Sequence, residues 1–274
     1  MKKFNCAFTI LIFIFLYIPM IVLAVASFNS GTDVAVFKGF TLDQYKELFR
    51  DKDLLSLLGN SLLIAVLSSL IATILGTMAA LGIHNMRGKM RSAVMTMTNI
   101  PMTNPEIVTG VALALLFAFA GVMLRINSIL GFWTLLIAHI TFNLPYIILN
   151  VMPKLSQMDP DLTEAALDLG CTPVQAFFKV VLHEIMPGIL SGMLMAFTMS
   201  LDDFVISYFV TGSSFVTLPV EIYSYTKKPM QPKIYALFTL MFIVILIMMV
   251  IMNLLQARDK TKRQRSRLVG GRGR

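Results

Sequence analysis

The sequence predicts an all-α, polytopic membrane protein with about six transmembrane helices. Three observations lead there. Hydrophobic residues make up 57% of the 274 and charged ones only 14%, with a mean hydropathy of +0.77; soluble domains carry about 25% charged residues. The apolar residues gather in blocks of about 18 to 25, the length a helix needs to cross a hydrocarbon core of roughly 30 Å. Lysine and arginine are distributed unevenly between alternate loops. Because every backbone N–H and C=O must be satisfied internally in lipid, the blocks must be helices.

Six blocks fit: Ala7 to Phe28, Asn60 to Ile83, Ile107 to Leu124, Ile129 to Val151, Ile189 to Phe209 and Tyr235 to Leu255. The first follows Lys2 and Lys3 and contains Ala24-Val25-Ala26, which resembles a signal cleavage site. Its apolar run of about 20 residues exceeds a signal core of 7 to 15, so an uncleaved span is expected. The run Ala93 to Ile100 is too short to cross and ends at Pro101 and Pro105, as an interfacial or re-entrant segment would. The whole chain, 1–274, reads as a single transmembrane domain, with Asn29 to Gly59 as a mixed-charge outer segment.

With the N-terminus inside, 15 of the 23 Lys and Arg fall on the cytosolic side and eight outside. The positive-inside rule then predicts both termini in the cytosol. Eight of those cations lie in the tail, residues 256–274, which suits a topology anchor touching anionic lipid; a docking arm is the alternative, and nucleic acid is not an expected partner. Cys6 and Cys171 offer neither a disulfide framework nor metal-ligand spacing. No phosphate-cradling G-x-x-x-x-G-K-[ST] loop is present. His183-Glu184 opens like a zinc-protease motif, but Pro187 occupies the second histidine position. His84 and His139 read as isolated. No catalytic residue, metal site or cofactor is expected on this chain.

The loop between the fourth and fifth spans, 153–184, is the most informative stretch. Asp161 and Glu164 suit a helix N-terminus, Ala165, Ala166, Leu167 and Leu169 favour helix, and Gly170 fits a stop. From Pro173, Val174, Phe177, Phe178 and Val181 form an i, i+3, i+4, i+7 stripe. A short helix, a glycine turn and a second helix are expected on the cytosolic side.

Glu164-Ala165-Ala166, three residues and then Gly170, resembles the EAA loop of ABC importer permeases. The family pattern continues after nine residues with Ile-x-Leu-Pro; here Val180, Val181, Leu182 and His183 stand there, and Pro187 comes four residues later. The resemblance extends over nearly the whole chain. Tyr17-Ile18-Pro19 with Ser27-Phe28-Asn29, Gly131-Phe132-Trp133, His139-Ile140-Thr141-Phe142, Ser200-Leu201-Asp202-Asp203 and Ala257-Arg258-Asp259-Lys260 resemble the spermidine/putrescine permeases of that family. It implies the type I importer fold (MetI-like) and a subunit of the bacterial inner membrane that forms half of a substrate path. It implies a homologous second permease, two copies of a cytosolic ABC ATPase that carries ATP and magnesium, and an extracytoplasmic polyamine-binding protein. Glu164, Ala165, Ala166 and Gly170 would then be the ATPase coupling loop.

Three carboxylates stand at membrane depth or its edge: Glu106, Asp202 and Asp203. No Lys or Arg lies in any span to pair with them. An aspartate at a helix centre costs roughly 2.5–3.5 kcal/mol, and such residues usually mark substrate paths. A passing ammonium can match them, with Phe204 and Tyr208 adding cation–π attraction and Ser200 a hydroxyl. Alternatives stay open at this point. The aspartates can be protonated, paired to another subunit or closer to the outer interface. Glu106 after Asn104-Pro105 can be a helix-start carboxylate, and Ser200 can bond its own backbone. A permease for another cationic or small solute, and a proton-coupled secondary transporter, are the competing functional readings.

Overall fold

The computed structural model describes residues 2–31, 36–126, 129–159, 161–227 and 231–270, without side-chain detail at 2–7, 252–253 and 255–270. The described residues form twelve helices, α1 (Lys2–Ala26), α2 (Asp43–Arg50), α3 (Lys52–His84), α4 (Gly88–Thr103), α5 (Glu106–Leu124), α6 (Phe132–Gln157), α7 (Asp161–Asp168), α8 (Pro173–Ala176), α9 (Leu182–Leu201), α10 (Val205–Val210), α11 (Leu218–Thr226) and α12 (Pro232–Gly270), with a π-helical turn, Phe177–Val181, between α8 and α9. Six segments are long and apolar enough to cross a bilayer: Phe8–Ala26, Lys52–His84, Glu106–Leu124, Phe132–Gln157, Pro173–Leu201 and Pro232–Ile251.

The number of spans matches the expectation; several limits do not. The second span starts at Lys52, not Asn60, because Asp51 caps it: its Oδ1 accepts from the N–H groups of Asp53 and Leu54, each at 3.1 Å. The outer segment is therefore shorter than expected and holds α2. The fourth span runs past Pro153 to Gln157. The short run before Pro105 is the 16-residue α4, about 24 Å long at 1.5 Å per residue; it continues through Pro101 to Thr103 and buries none of its residues. The largest correction concerns the fifth span. It does not run from Ile189 to Phe209: it begins at Pro173, continues through the π turn, and stops at Leu201.

The chain divides into two compact units, one of residues 1–58 and 221–249, the other of residues 59–220 and 250–274. In the first, Asn29 organises the segment after α1. Its Nδ2 donates to the Val36 carbonyl at 2.8 Å, and its Oδ1 accepts from the N–H groups of Gly31 and Lys38. Lys233 at the start of α12 donates to Asp51 Oδ2 at 2.7 Å. That hydrogen bond, with those from the α3 backbone, holds the Asp51 carboxyl below the usual carboxylate range.

The second unit contains α4 to α10. Its α6 and α9 form the most extensive helix pair. Small residues let the backbones approach. A Cβ on Gly188 would meet the Asn150 carbonyl oxygen at 2.8 Å, and one on Gly192 would meet Ile147 Cα at 3.2 Å. Ile147, Val151 and Leu155 of α6 pack with Ile185 and Ile189 of α9 and with Ala72 and Ala80 of α3. A second apolar cluster joins Ile64 of α3, Phe117 of α5, Leu135 and Phe142 of α6, and Ile206 and Val210 of α10. In α3, Ser68 falls between Ile64 of one cluster and Ala72 of the other.

Gly188→Ala must displace a backbone carbonyl, and overpacking of this kind costs about 1–3 kcal/mol. It is expected to lower the melting temperature of the detergent-solubilised protein. Gly82→Ala, where a Cβ meets nothing within 4 Å, is expected to leave it unchanged or raise it slightly through helix propensity. Equal loss in both variants contradicts the packing assigned to Gly188.

Candidate functional site: a broken helix and a coupling loop

The fifth span ends where two aspartates follow one another. The Asp202 N–H still reaches the Thr198 carbonyl at 3.4 Å, but its backbone has left the helix at φ −101°, ψ 2°. Asp203 starts the next helix. Its two oxygens accept from the backbone N–H groups of Ile206 at 3.2 Å and Ser207 at 2.8 Å, and from the Ser207 hydroxyl at 2.8 Å. Those N–H groups are among the unsatisfied donors of a helix N-terminus, so Asp203 caps α10 from just outside it.

His139 of α6 approaches from the other side. Its Nε2 lies 3.0 Å from Ser207 Oγ and 3.5 Å from Asp203 Oδ2, and its Nδ1 lies 2.5 Å from Ser200 Oγ. Ser200 Oγ is 2.9 Å from Ser68 Oγ of α3, and the Asn143 amide donates to Ser68 Oγ at 3.4 Å. One arrangement of protons serves every link. Asn143 donates to Ser68, Ser68 to Ser200, and Ser200 to Nδ1 of a neutral imidazole. The Nε2–H of that ring donates to Ser207, and the Ser207 hydroxyl donates to Asp203. The carboxylate is the terminal acceptor of the chain. His139, Asn143, Ser68, Ser200, Ser207 and Asp203 are all buried, where each link is stronger than in water; the Asn143 Oδ1 at the far end of the chain has no partner among the described residues.

This geometry corrects two sequence-based expectations. His139 is not isolated, and Asp203 does not lack a partner within the chain. Ser200 also differs from either expectation for it: its hydroxyl joins α3 to α6. Asp202 is exposed on the surface of this unit, and among the described residues no Lys, Arg or His is paired with it. Glu106, first residue of α5, is exposed as well, and α5 packs on α10. Phe204 and Tyr208 bring their rings within 5.5 Å of one another, with Tyr208 half exposed. The structure therefore separates two neighbours that the sequence presents as a pair: Asp203 faces the core and Asp202 faces out.

At the other end of the fifth span lies the cytosolic-type loop. Helix α7 carries Asp161 and Glu164 in its first turn. It ends in a Schellman motif, with Gly170 N–H bonded to the Leu167 carbonyl and Cys171 N–H to the Ala166 carbonyl. Gly170 has φ +87°, where a side chain is strained. Thr172 and Gln175 then close a capping box, each side chain bonded to the other's backbone N–H, with Pro173 as the first helical residue. Glu164, Ala165 and Gly170 are exposed, Ala166 is buried, and Leu169 is 87% exposed. The second helix is not a separate element, as expected, but the start of the fifth span. The expected stripe splits as well. Val181 is buried and Phe177 packs on the core, while Val174 and Phe178 are exposed. The π turn alters the register between Val174 and Val181, so a 3.6-residue stripe cannot hold across it.

The residues passed over in the sequence are His139, Ser68, Asn143 and Ser207, together with Gly188 and Gly192. A histidine inside an apolar span was a usable signal, since ionisable groups there are usually paired. So was Gly188-x-x-x-Gly192, a small-residue spacing typical of membrane helix contacts.

The apolar spans, the coupling-type loop and the interrupted fifth helix define a polytopic transport component. The family model described as "Binding-protein-dependent transport system inner membrane component" matches residues 72–262, and the chain belongs to that family. It is 38% identical over 251 residues to the spermidine/putrescine transport system permease protein PotC of Escherichia coli K12, covering 92% of each chain. It is 39% identical over 255 residues to the putrescine transport system permease protein PotI of the same strain, covering 92% of this chain and 90% of that one. Among solved structures, a bacterial ABC transporter for import of the acidic polysaccharide alginate matches with a TM-score of 0.70 at 16% identity, covering 95% of this chain and 94% of that one. That likeness establishes the fold.

Asp203→Ala removes the cap of α10, a loss of about 1 kcal/mol, and leaves the His139 and Ser207 donors unsatisfied at about 1–3 kcal/mol. It is expected to lower thermal stability markedly, whereas Asp202→Asn leaves it unchanged. The comparison is made by thermal unfolding of the two purified variants; an equal effect of both contradicts the separation of the two aspartates.

Proposed function

We propose that this chain is one of two homologous permease subunits of an ATP-driven importer for polyamines of the spermidine/putrescine class. The observation that carries the cargo is the exposed carboxylate of Asp202, followed by the Phe204–Tyr208 pair and with exposed Glu106 on the helix packed against α10, in a chain similar over nearly its full length to polyamine permeases. Polyamines carry ammonium groups spaced along methylenes. Asp202 and Glu106 suit the ammonium groups, and the two rings suit the methylenes and the cation–π contact. Asp203 acts in this reading by shaping the path rather than by touching the cargo, and Ser200 belongs to the same support.

The chain does no covalent chemistry. A separate cytosolic ATPase, present in two copies, binds ATP and magnesium, and an extracytoplasmic binding protein delivers the cargo. Both termini lie in the cytosol and the basic tail rests on anionic lipid. Glu164, Ala165 and Gly170 form the surface that docks on the ATPase, with Leu169 as an apolar contact and buried Ala166 seating the helix beneath it.

The transmission is mechanical. Helix α7 packs on α8 and the π turn. From Pro173 to Leu201 the chain is one span of 29 residues, about 40 Å at 1.5 Å per residue. Its start lies beside the coupling loop and its end carries Asp202. Displacement of α7 by ATPase closure reaches the acid through a single rod, which supports alternating access.

The Asp202→Asn, Glu106→Gln double variant is expected to lower radiolabelled spermidine and putrescine uptake by about tenfold, a loss of about 1.4 kcal/mol of path affinity. Insertion in the membrane should be normal. Ala166→Arg is expected to abolish uptake by unseating α7 while leaving polyamine binding by the extracytoplasmic protein intact. Unchanged uptake by the double variant overturns the path assignment. Uptake that collapses with an uncoupler while ATP is maintained favours proton coupling instead.

A further inference from the structure

Nothing in the local backbone compels the fifth span to break. Leu201-Asp202-Asp203-Phe204-Val205 contains neither glycine nor proline, no residue there has a positive φ, and the apolar run resumes immediately with Phe204, Val205 and Ile206. Sharp helix breaks have identifiable causes, and with the backbone causes absent the remaining one is side-chain intervention. The side chains that intervene are the Asp203 carboxylate, which takes the Ile206 and Ser207 N–H groups, and the imidazole that faces it from α6. His139 holds Ser200, on the last turn before the break, at 2.5 Å. It holds Ser207, beyond the break, at 3.0 Å, and lies 3.5 Å from Asp203. A single imidazole therefore spans the interruption from both sides.

The ring is itself fixed. It is 1% exposed and sits on α6, which is closely packed on α9 through Gly188 and Gly192. Ser68 ties the same point to α3 through Ser200. Three helices thus determine where α9 stops and in which direction α10 leaves.

We propose that His139 is a positioning residue: by bridging Ser200 to Ser207 and Asp203 it sets the angle of the break and so turns Asp202 outward. The role in uptake rests on the reading of Asp202 as part of the cargo path; the positioning itself does not. His139 touches no cargo. It acts through the carboxylate of Asp203, which remains in the core, on the carboxylate next to it.

The test reads the position of residue 202 directly. Asp202→Cys is placed in the full chain with Cys6 and Cys171 replaced by serine, in cells carrying the assembled importer. Its labelling rate by a membrane-impermeant maleimide is then measured with His139, His139→Leu and His139→Gln. Leucine fills much of the volume without polar atoms, while glutamine retains a donor for Asp203 and Ser207. His139→Leu is expected to change the rate by about tenfold, the scale of one unsatisfied buried donor, and His139→Gln to restore it to within about twofold. With Asp202 present, the same His139→Leu change should raise the KM for polyamine uptake while His139→Gln lowers it again.

An unchanged labelling rate in His139→Leu overturns the proposal. So does a glutamine variant as altered as the leucine one, because ring volume rather than hydrogen bonding would then set the break. If His139→Leu is not inserted, Ser207→Ala removes only the hydroxyl between His139 and Asp203. It is expected to shift labelling in the same direction, and an unchanged rate there overturns the proposal equally. Failure of the path reading has a separate signature: labelling follows His139 as expected, yet Asp202→Asn transports normally.

Discussion

Asp203 ends an apolar helix inside a packed bundle, and the site depends on how its charge is accommodated. Removing a carboxylate from water costs several kcal/mol even after relaxation. Hydrogen bonds to charged groups contribute about 1.5–3 kcal/mol each. Two backbone N–H groups and a hydroxyl bond to this carboxylate, and the His139 ring lies 3.5 Å away. That set of donors is enough to hold it without a lysine or arginine. In the same act it terminates α9 and starts α10, so satisfying one buried charge and breaking one membrane helix are a single event. The residue before it inherits an exposed position as a consequence.

The remainder of the second unit reads as support for that event. Close approach of α6 and α9 at Gly188 and Gly192 makes the histidine a fixed post. The polar chain is buried along its length, which strengthens each link. The fifth span is continuous from the coupling loop to the break. In the proposed mechanism a movement at Gly170 is carried to Asp202 without an intervening joint other than the π turn and Pro187. The π turn lies near the loop end of the span and Pro187 at its middle, and these are the places where it can bend.

Much of this was legible in the sequence. The six spans follow from block length, and the helix–glycine–helix of the loop follows from Asp161, Glu164 and Gly170, because these signals are local. The break was not legible. After Asp202-Asp203 the run Phe204 to Val210 is apolar again, so hydropathy carries the fifth span through to Phe209. What interrupts it is the Asp203 cap together with the contact of that acid to His139, more than sixty positions away, and the second part is encoded by no local pattern. For the same reason the sequence leaves open which of the two adjacent acids lines the path; their separation is a product of tertiary packing. The early start of α3 was hidden by Lys52 and Asp53, polar residues that stand in a helix because Asp51 caps it.

The most direct test is an experimental structure of the assembled importer determined with and without bound polyamine. The account predicts that Asp203 keeps its bonds to Ile206, Ser207 and the His139 ring in both, while an ammonium group approaches Asp202. A structure in which Asp203 leaves His139 and turns into the path to meet the cargo contradicts it.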